Sequence, residues 1–284
     1  MPETLNSSES KPESGKRQLP TKIFEPEDEL DEEMSLDFAV ECHSEEATGI
    51  SKDDYREMLI SAGEHGKTGE IFWNMLVDKV HQTGFELPQG KTVEVLDLAC
   101  GACEEGRALN SFFGGRIYPG FSPDVNLAGI DVDAESIENA KYNGRVWDEQ
   151  KRENYLPENM HFIVGDGTRL EDYPEIPKQA DVVIIRHQQL VGDPDRLQEE
   201  SEEIWRKIFS QAFERVRPEG IVIITSHDEY QNDYAKKVLE SLSCEIVLDQ
   251  NNPYARPKES RYSVTDDHRI LVVRKNQQIT KEDK

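Results

Sequence analysis

The sequence is short of cysteine, of positive charge and of long apolar runs, and each shortage removes a class of protein. Cys42, Cys100, Cys103 and Cys244 are the four cysteines of a 284-residue chain. Their spacing fits no disulfide framework, and a chain this long can build a core without one, so a reducing, cytoplasmic setting is expected. No run approaches the roughly 20 apolar residues that cross a bilayer. MPETLNSSES opens the sequence without an apolar core, so no signal peptide is expected. Lys and Arg number 33 against 58 Asp and Glu, a net charge of −25. A surface this acidic repels phosphate backbones and anionic membranes, which argues against nucleic-acid and membrane partners. The three-glycine fingerprint G-x-G-x-x-G of dinucleotide binding is also missing.

What is present begins with a block of its own composition. Residues 1–49 are rich in Ser, Glu, Pro and Lys and then run FEPEDELDEEMSLDF, with too little apolar surface to offset the entropy of ordering. They are expected to form a disordered acidic tail. It acts either as a solubilising segment or as an arm that engages a protein partner through Phe24, Leu30, Met34, Leu36 and Phe38. Residues 50–284 are expected to form one domain: a helical cap over 50–90, a core over 91–275 and a short tail over 276–284. In 51–85 apolar residues recur at three- and four-residue spacing, which predicts a helix in two pieces around GEHGKTGE. Phe72, Met75 and Leu76 are assigned to the core, while Tyr55 and His65 are freer to face a ligand.

The organising stretch is TVEVLDLACGACEEGRAL, residues 92–109. An apolar strand over 93–98 feeds a helix through small residues, an order that brings backbone N–H groups close to a ligand. Further strands are predicted over 127–133, 160–164, 180–185, 221–225, 244–248 and 269–273, with helices over 134–142, 194–216 and 228–242. The run ADVVII is continuously apolar after its acid, as a strand buried on both faces should be. The last two strands are joined by a polar loop rather than a helix, which predicts an antiparallel edge on an otherwise parallel, doubly wound sheet of seven strands.

Asp97, Asp131, Asp166 and the pair Arg186-His187 each stand at the end of a strand, and in such a sheet these ends share one rim, where ligands bind. A single acid at a strand end is usually a helix cap; three in succession point to a site.

Here the chain resembles the class I S-adenosylmethionine-dependent methyltransferases. VLDLACGAC resembles their first motif, GIDVD the second strand with its ribose-binding acid, VGDGT the third-strand motif, and ADVVII with RVRPEGIVIIT the fourth and fifth strands. The resemblance covers roughly 91–275. It implies a Rossmann-like fold and S-adenosylmethionine held by Asp97, Ala99, Cys100, Gly101, Asp131, Val132, Asp166, Gly167 and Arg186. Asp131 would accept from the ribose hydroxyls and Asp166 from the adenine amino group. Ala99 and Cys103 stand where the family prefers glycine, which weakens the first turn and makes a non-catalytic binding module the alternative. Two less favoured alternatives are a nicotinamide-binding domain and a redox role for Cys100-Gly-Ala-Cys103; no metal is expected.

The acceptor in this family approaches the fourth-strand end. His187 is the candidate general base, His227 a second, and Arg186 could also hold a carboxylate or phosphate. Tyr55, Arg261 and Tyr262 are candidates for substrate contact. The Asp/Asn-Pro-Pro-Tyr/Phe and Pro-Cys motifs, which resemble those of base-methylating enzymes, are missing. A small molecule or a protein side chain is therefore the expected acceptor.

Overall fold

The structure is a computed structural model that describes residues 17–23, 51–117, 120–148, 151–188, 190, 198–257 and 266–275, with backbone alone over 53–66 and at 148. The expected arm residues Phe24 to Phe38 and the tail 276–284 lie outside it. Within 1–49 the described part is 17–23, and it packs against the domain. Leu19 is buried, Trp73 Nε1 donates to the Lys22 carbonyl at 3.0 Å, and Arg17 exchanges hydrogen bonds with the Gln89 side chain at 2.9 and 3.0 Å. The acidity of the whole block concealed a short stretch, Gln18-Leu19-Pro20, that carries no acid.

Helix α1 (Lys52–Val80) is continuous rather than in two pieces. Its three interior glycines cost about 1 kcal/mol each. Full burial of Phe72, Trp73, Met75, Leu76 and Val80 outweighs this, at about 1.5–3 kcal/mol for each large apolar side chain. Then come β1 (Val93–Leu98), α2 (Gly106–Phe113), β2 (Val125–Asp131), α3 (Ala134–Asn143), β3 (Val146–Asp148), β4 (Glu153–Tyr155), β5 (Met160–Val164), β6 (Ala180–Arg186), α4 (Gln198–Arg215), β7 (Val216–Ser226), α5 (Glu229–Leu239), β8 (Cys244–Asn251) and β9 (Arg269–Lys275). The short antiparallel hairpin β3–β4 was not anticipated. Trp147 and Tyr155 are exposed on it, so it leaves no burial pattern to read.

The main sheet has seven strands in the order β5-β2-β1-β6-β7-β9-β8. All pairings are parallel except those of β9, which runs against β7 and β8 and lies between them, the antiparallel pairing expected at that edge. Successive residues of β6 serve opposite faces. Val182 and Ile184 join Phe72, Leu109, Phe112 and Ile137 under α1, α2 and α3, while Val183 and Ile185 join Trp205, Phe209 and Val238 under α4 and α5. Because both faces are covered, the unpaired strand ends of one rim are the remaining place for a ligand. The reversed β9 adds its beginning to that rim: Arg269 pairs with Ser226, the last residue of β7.

Candidate functional site

The rim encloses a cleft of about 620 Å³, lined by the turns that follow β1, β2, β5 and β6 and by one side of α4. After β1 the backbone takes three left-handed residues in five, Ala99 (φ 55°), Gly101 (φ 51°) and Cys103 (φ 43°). Two of them carry side chains, at roughly 1–2 kcal/mol each. The turn keeps its shape because neighbours hold it. Cys100 N–H donates to the Ile130 carbonyl at 3.1 Å, Gly101 N–H to Asp131 Oδ2 at 2.9 Å, and Asn143 Nδ2 to the Ala102 carbonyl at 2.9 Å. Neighbouring backbone and side-chain bonds thus hold the turn at the two positions where the sequence lacks glycine.

At the end of β2, Asp131 accepts from Gly101 and, through Oδ1, from the Asp133 N–H at 2.9 Å. Asp133 caps α3, accepting from Glu135 and Ser136, and these bonds hold its carboxyl below the usual carboxylate range. At the end of β5, Asp166 Oδ1 takes the Thr168 N–H at 2.9 Å and the Thr168 hydroxyl at 2.7 Å. Burial pushes the Asp166 carboxyl up, but these bonds and Arg169 bring it below its ordinary value. Opposite, α4 presents Ser201, Ile204, Trp205 and Ile208 to the cleft. Ile208 is the nearest group to Gly167, 3.7 Å from where a Cβ would stand.

The deeper end of the cleft is a buried charge cluster. Arg186 makes a two-pronged pair with Asp267, Nε to Oδ1 at 3.2 Å and Nη2 to Oδ2 at 2.8 Å. Its Nη1 pairs with Glu105, and its Cζ stands 5.0 Å from the Phe72 ring centre. Asp267 also accepts from the Thr225 hydroxyl and lies 3.0 Å from His187 Nε2. Burial pushes Asp267 up, yet Arg186 and His187 hold it well below the usual carboxylate range. Burial works against the charge on Arg186 as well, and Asp267 and Glu105 together hold its pKa well above the ordinary value. His187 sits in the left-handed region (φ 44°), fixed by its N–H to the Thr225 carbonyl at 3.1 Å. Of the expected bases, His187 lines the cleft. His227 stands behind it, ring centres 6.2 Å apart, with His268 a further 5.4 Å from His227.

Asp97 is fully buried behind the turn. Oδ2 accepts from the Cys103 thiol at 3.3 Å and Oδ1 has no partner among the described residues. Burial, reinforced by Glu105, raises its pKa well above the ordinary value, against the pull of Arg186. Cys103 turns its thiol back toward Asp97. The Cys100 contact, burial and the nearby acids push that thiol well up. For Cys100, the Cys103 contact lowers the pKa, and burial with Asp97, Asp131 and Glu105 more than offsets it. A C-x-x-C redox centre needs a lowered thiol pKa, and this turn supplies the reverse. The donor atoms of Asp97, Cys103 and Glu105 lie within 4.8 Å of one another. The cation that Glu105 meets there is the Arg186 guanidinium.

The structure thus brings Asp97, Ala99, Cys100, Gly101, Asp131, Val132, Asp166, Gly167, Arg186 and His187 to one rim. The Tyr55 side chain, Arg261 and Tyr262 lie outside the described residues. Glu105, Thr168, Asp267 and the α4 face were missed. For Asp267 a signal existed: the antiparallel final strand puts Asp266-Asp267-His268 on the ligand rim.

The profile of a family described as "Methyltransferase domain" matches residues 89–273. Among curated proteins none matches the sequence. Solved structures of similar shape include an S-adenosylmethionine-dependent methyltransferase from Clostridium acetobutylicum, at 13% identity over 75% of this chain and 92% of that one, TM-score 0.46. Magnesium protoporphyrin IX methyltransferase from Synechocystis, solved with its donor bound, is 15% identical over 79% and 83%, TM-score 0.44. TrmN from Thermus thermophilus is 14% identical with TM-score 0.45; the match takes in 66% of this chain but spans less than half, 45%, of that one. The expectation that nucleic acid is no partner rests on net charge and on the missing base-methylating motifs, and none of these comparisons supports it. No described helix is long and apolar enough to cross a membrane.

Proposed function

The chain belongs to the methyltransferase-domain family, the S-adenosylmethionine-dependent methyltransferases, and we propose that it binds S-adenosylmethionine in the rim cleft and passes its methyl group to an acceptor held beside His187. When bound, the donor supplies an activated methyl group on a sulfonium. The observation that carries the reading is the order of groups along one continuous cleft: the tight turn after β1, then Asp131, Asp166 and His187. The residues fit the donor. Asp131 spends one lone pair per oxygen on backbone N–H groups and keeps others for two ribose hydroxyls. The apolar face of Ile204, Trp205 and Ile208 opposite Asp166 suits a flat base with a donor edge.

His187 holds the acceptor side. Its Nε2 lies 3.0 Å from an Asp267 oxygen without a hydrogen bond between them, and the ring, set beside that carboxylate and on the cleft, is the group we assign to take the acceptor's proton. Burial of the Arg186–Asp267 pair fixes the ring and keeps water from that end. The acceptor we favour is a small molecule or a protein side chain, supported by the acidity of the chain and by its lack of base-methylating motifs. The test is calorimetric titration with S-adenosylmethionine, followed by mass spectrometry of acceptors offered to the loaded protein. Binding that Asp131→Ala weakens is expected; binding of a nicotinamide dinucleotide instead would sink the reading. Replacement of His187 by Gln should slow transfer without loosening the donor, and unchanged turnover would remove His187 from the mechanism.

A further inference from the structure

We infer that Asp97, buried against Glu105, keeps a proton in the free protein and releases it when the amino-acid end of the donor enters, so that donor binding is tied to pH; this rests on the donor site proposed above. Asp97 closes β1 and Glu105 precedes α2, and the turn between them folds both carboxyls inward, 0% and 1% exposed. Their oxygens lie within 4.8 Å of each other. Among the described residues Asp97 Oδ1 and both oxygens of Glu105 make no hydrogen bond, and Glu105 Oε2 meets Arg186 as an ion pair.

The charges facing them do not balance two anions. From β6 comes Arg186, which already gives two of its nitrogens to Asp267 and one to Glu105. His187, also from the end of β6, lies against Asp267. The turn offers the thiols of Cys100 and Cys103, with Asp131 of β2 beyond Cys100. Among the described side chains of α1, the ring of Phe72 stands against Arg186. Among the described residues one guanidinium therefore faces three buried carboxyls, and Asp97, the one behind the others with no cation of its own in contact, keeps its proton. Glu105 lines the cleft and Asp97 lies behind it. An ammonium arriving at Glu105 supplies the missing positive charge, the pair ionises, and the proton leaves to solvent.

The consequence is read in affinity against pH. Where the free pair is protonated and the bound pair is not, affinity rises about tenfold per pH unit. The measurement is calorimetric binding between about pH 5.5 and 7, below the value near 8 at which an α-amino group itself loses its proton. S-adenosylhomocysteine carries the amino-acid end, and 5′-methylthioadenosine keeps the nucleoside but lacks that end. The homocysteine compound should bind more tightly as pH rises, with proton release seen as a buffer-dependent heat, and methylthioadenosine should bind evenly across the range. Glu105→Gln should flatten the first curve and leave the second. Asp97→Asn should do the same, a second variant in case the first fails to fold. His187→Gln should keep the slope.

A flat curve for S-adenosylhomocysteine, an equal slope for methylthioadenosine, or loss of the slope in His187→Gln would overturn the inference while the donor site stands. Failure of all adenosine ligands to bind at any pH would overturn the donor site and the inference together.

Discussion

The two ends of the cleft solve the same problem in opposite ways. At the Asp131–Asp166 end the acids are half-exposed and tied to backbone N–H groups within a residue or two of themselves, save the one bond from Asp131 to Gly101. At the Asp97–Asp267 end the acids are buried and answered by a single guanidinium whose partner lies 81 residues away in sequence. The first arrangement is cheap, local and still open to a ligand's hydroxyls. The second is held by long-range charge, and most of its lone pairs and protons are committed to the protein itself. The comparison teaches that a carboxylate offered to a ligand and one used to build the wall around it differ in burial and partner, not in residue type.

The largest effect should come from breaking the buried end. Asp267→Asn leaves Arg186 with Glu105 as its one described carboxylate and removes the anion beside His187, and removing one charge of a buried pair costs about 3–5 kcal/mol; denaturant unfolding at neutral pH measures it. The same variant tests a pH effect. Asp267 is held below its unfolded value, so its contribution is complete above about pH 4 and is lost as pH falls further. That part of the acid sensitivity should vanish in the variant.

At the open end, Asp131→Ala should spare most of the stability and weaken S-adenosylmethionine binding by roughly 10- to 100-fold. This follows from about 1.5–3 kcal/mol for hydrogen bonds to a charged group, and titration reads it directly. If Asp131→Ala were to unfold the protein and Asp267→Asn were to leave it intact, the contrast between the two ends would be wrong. A smaller change is Asp133→Ala, which removes the cap of α3 and should cost about 1 kcal/mol, measured as a lowered melting temperature with little change in affinity. The smallest is a gain. Ala99→Gly relieves a left-handed alanine and should stabilise by up to about 1 kcal/mol, provided donor affinity is unchanged or improved.

The open end was legible in the sequence for the reason that makes it cheap. A strand followed by an acid and then a helix writes Asp131 and Asp166 as local patterns, and the parallel order of strands follows from their alternation with helices. Arg186 and His187 were legible as rim residues by the same rule, though not their tie to Asp267. The charge cluster needs two facts that no short window holds: that β9 returns antiparallel between β7 and β8, and that Glu105 points inward at the start of a helix rather than out to solvent. Continuous α1 was missed because three glycines outweigh, on paper, an apolar face whose burial depends on the sheet. Packing of 17–23 was missed because the composition of fifty residues was read as the property of each.

The reversal of β9 also gives the site an order of assembly. Ribosomes deliver β1 to β7 first, and with them the donor turn, Asp131, Asp166, Arg186 and His187. Until the residues around Asp267 follow, Arg186 has Glu105 as its one carboxylate among the described residues, and the His187 ring lacks the acid beside it. A nascent chain therefore carries most of a cleft well before it carries a working one. The buried charge cluster is therefore completed later in synthesis than the turns that line the cleft, because Asp267 follows β7 in the chain.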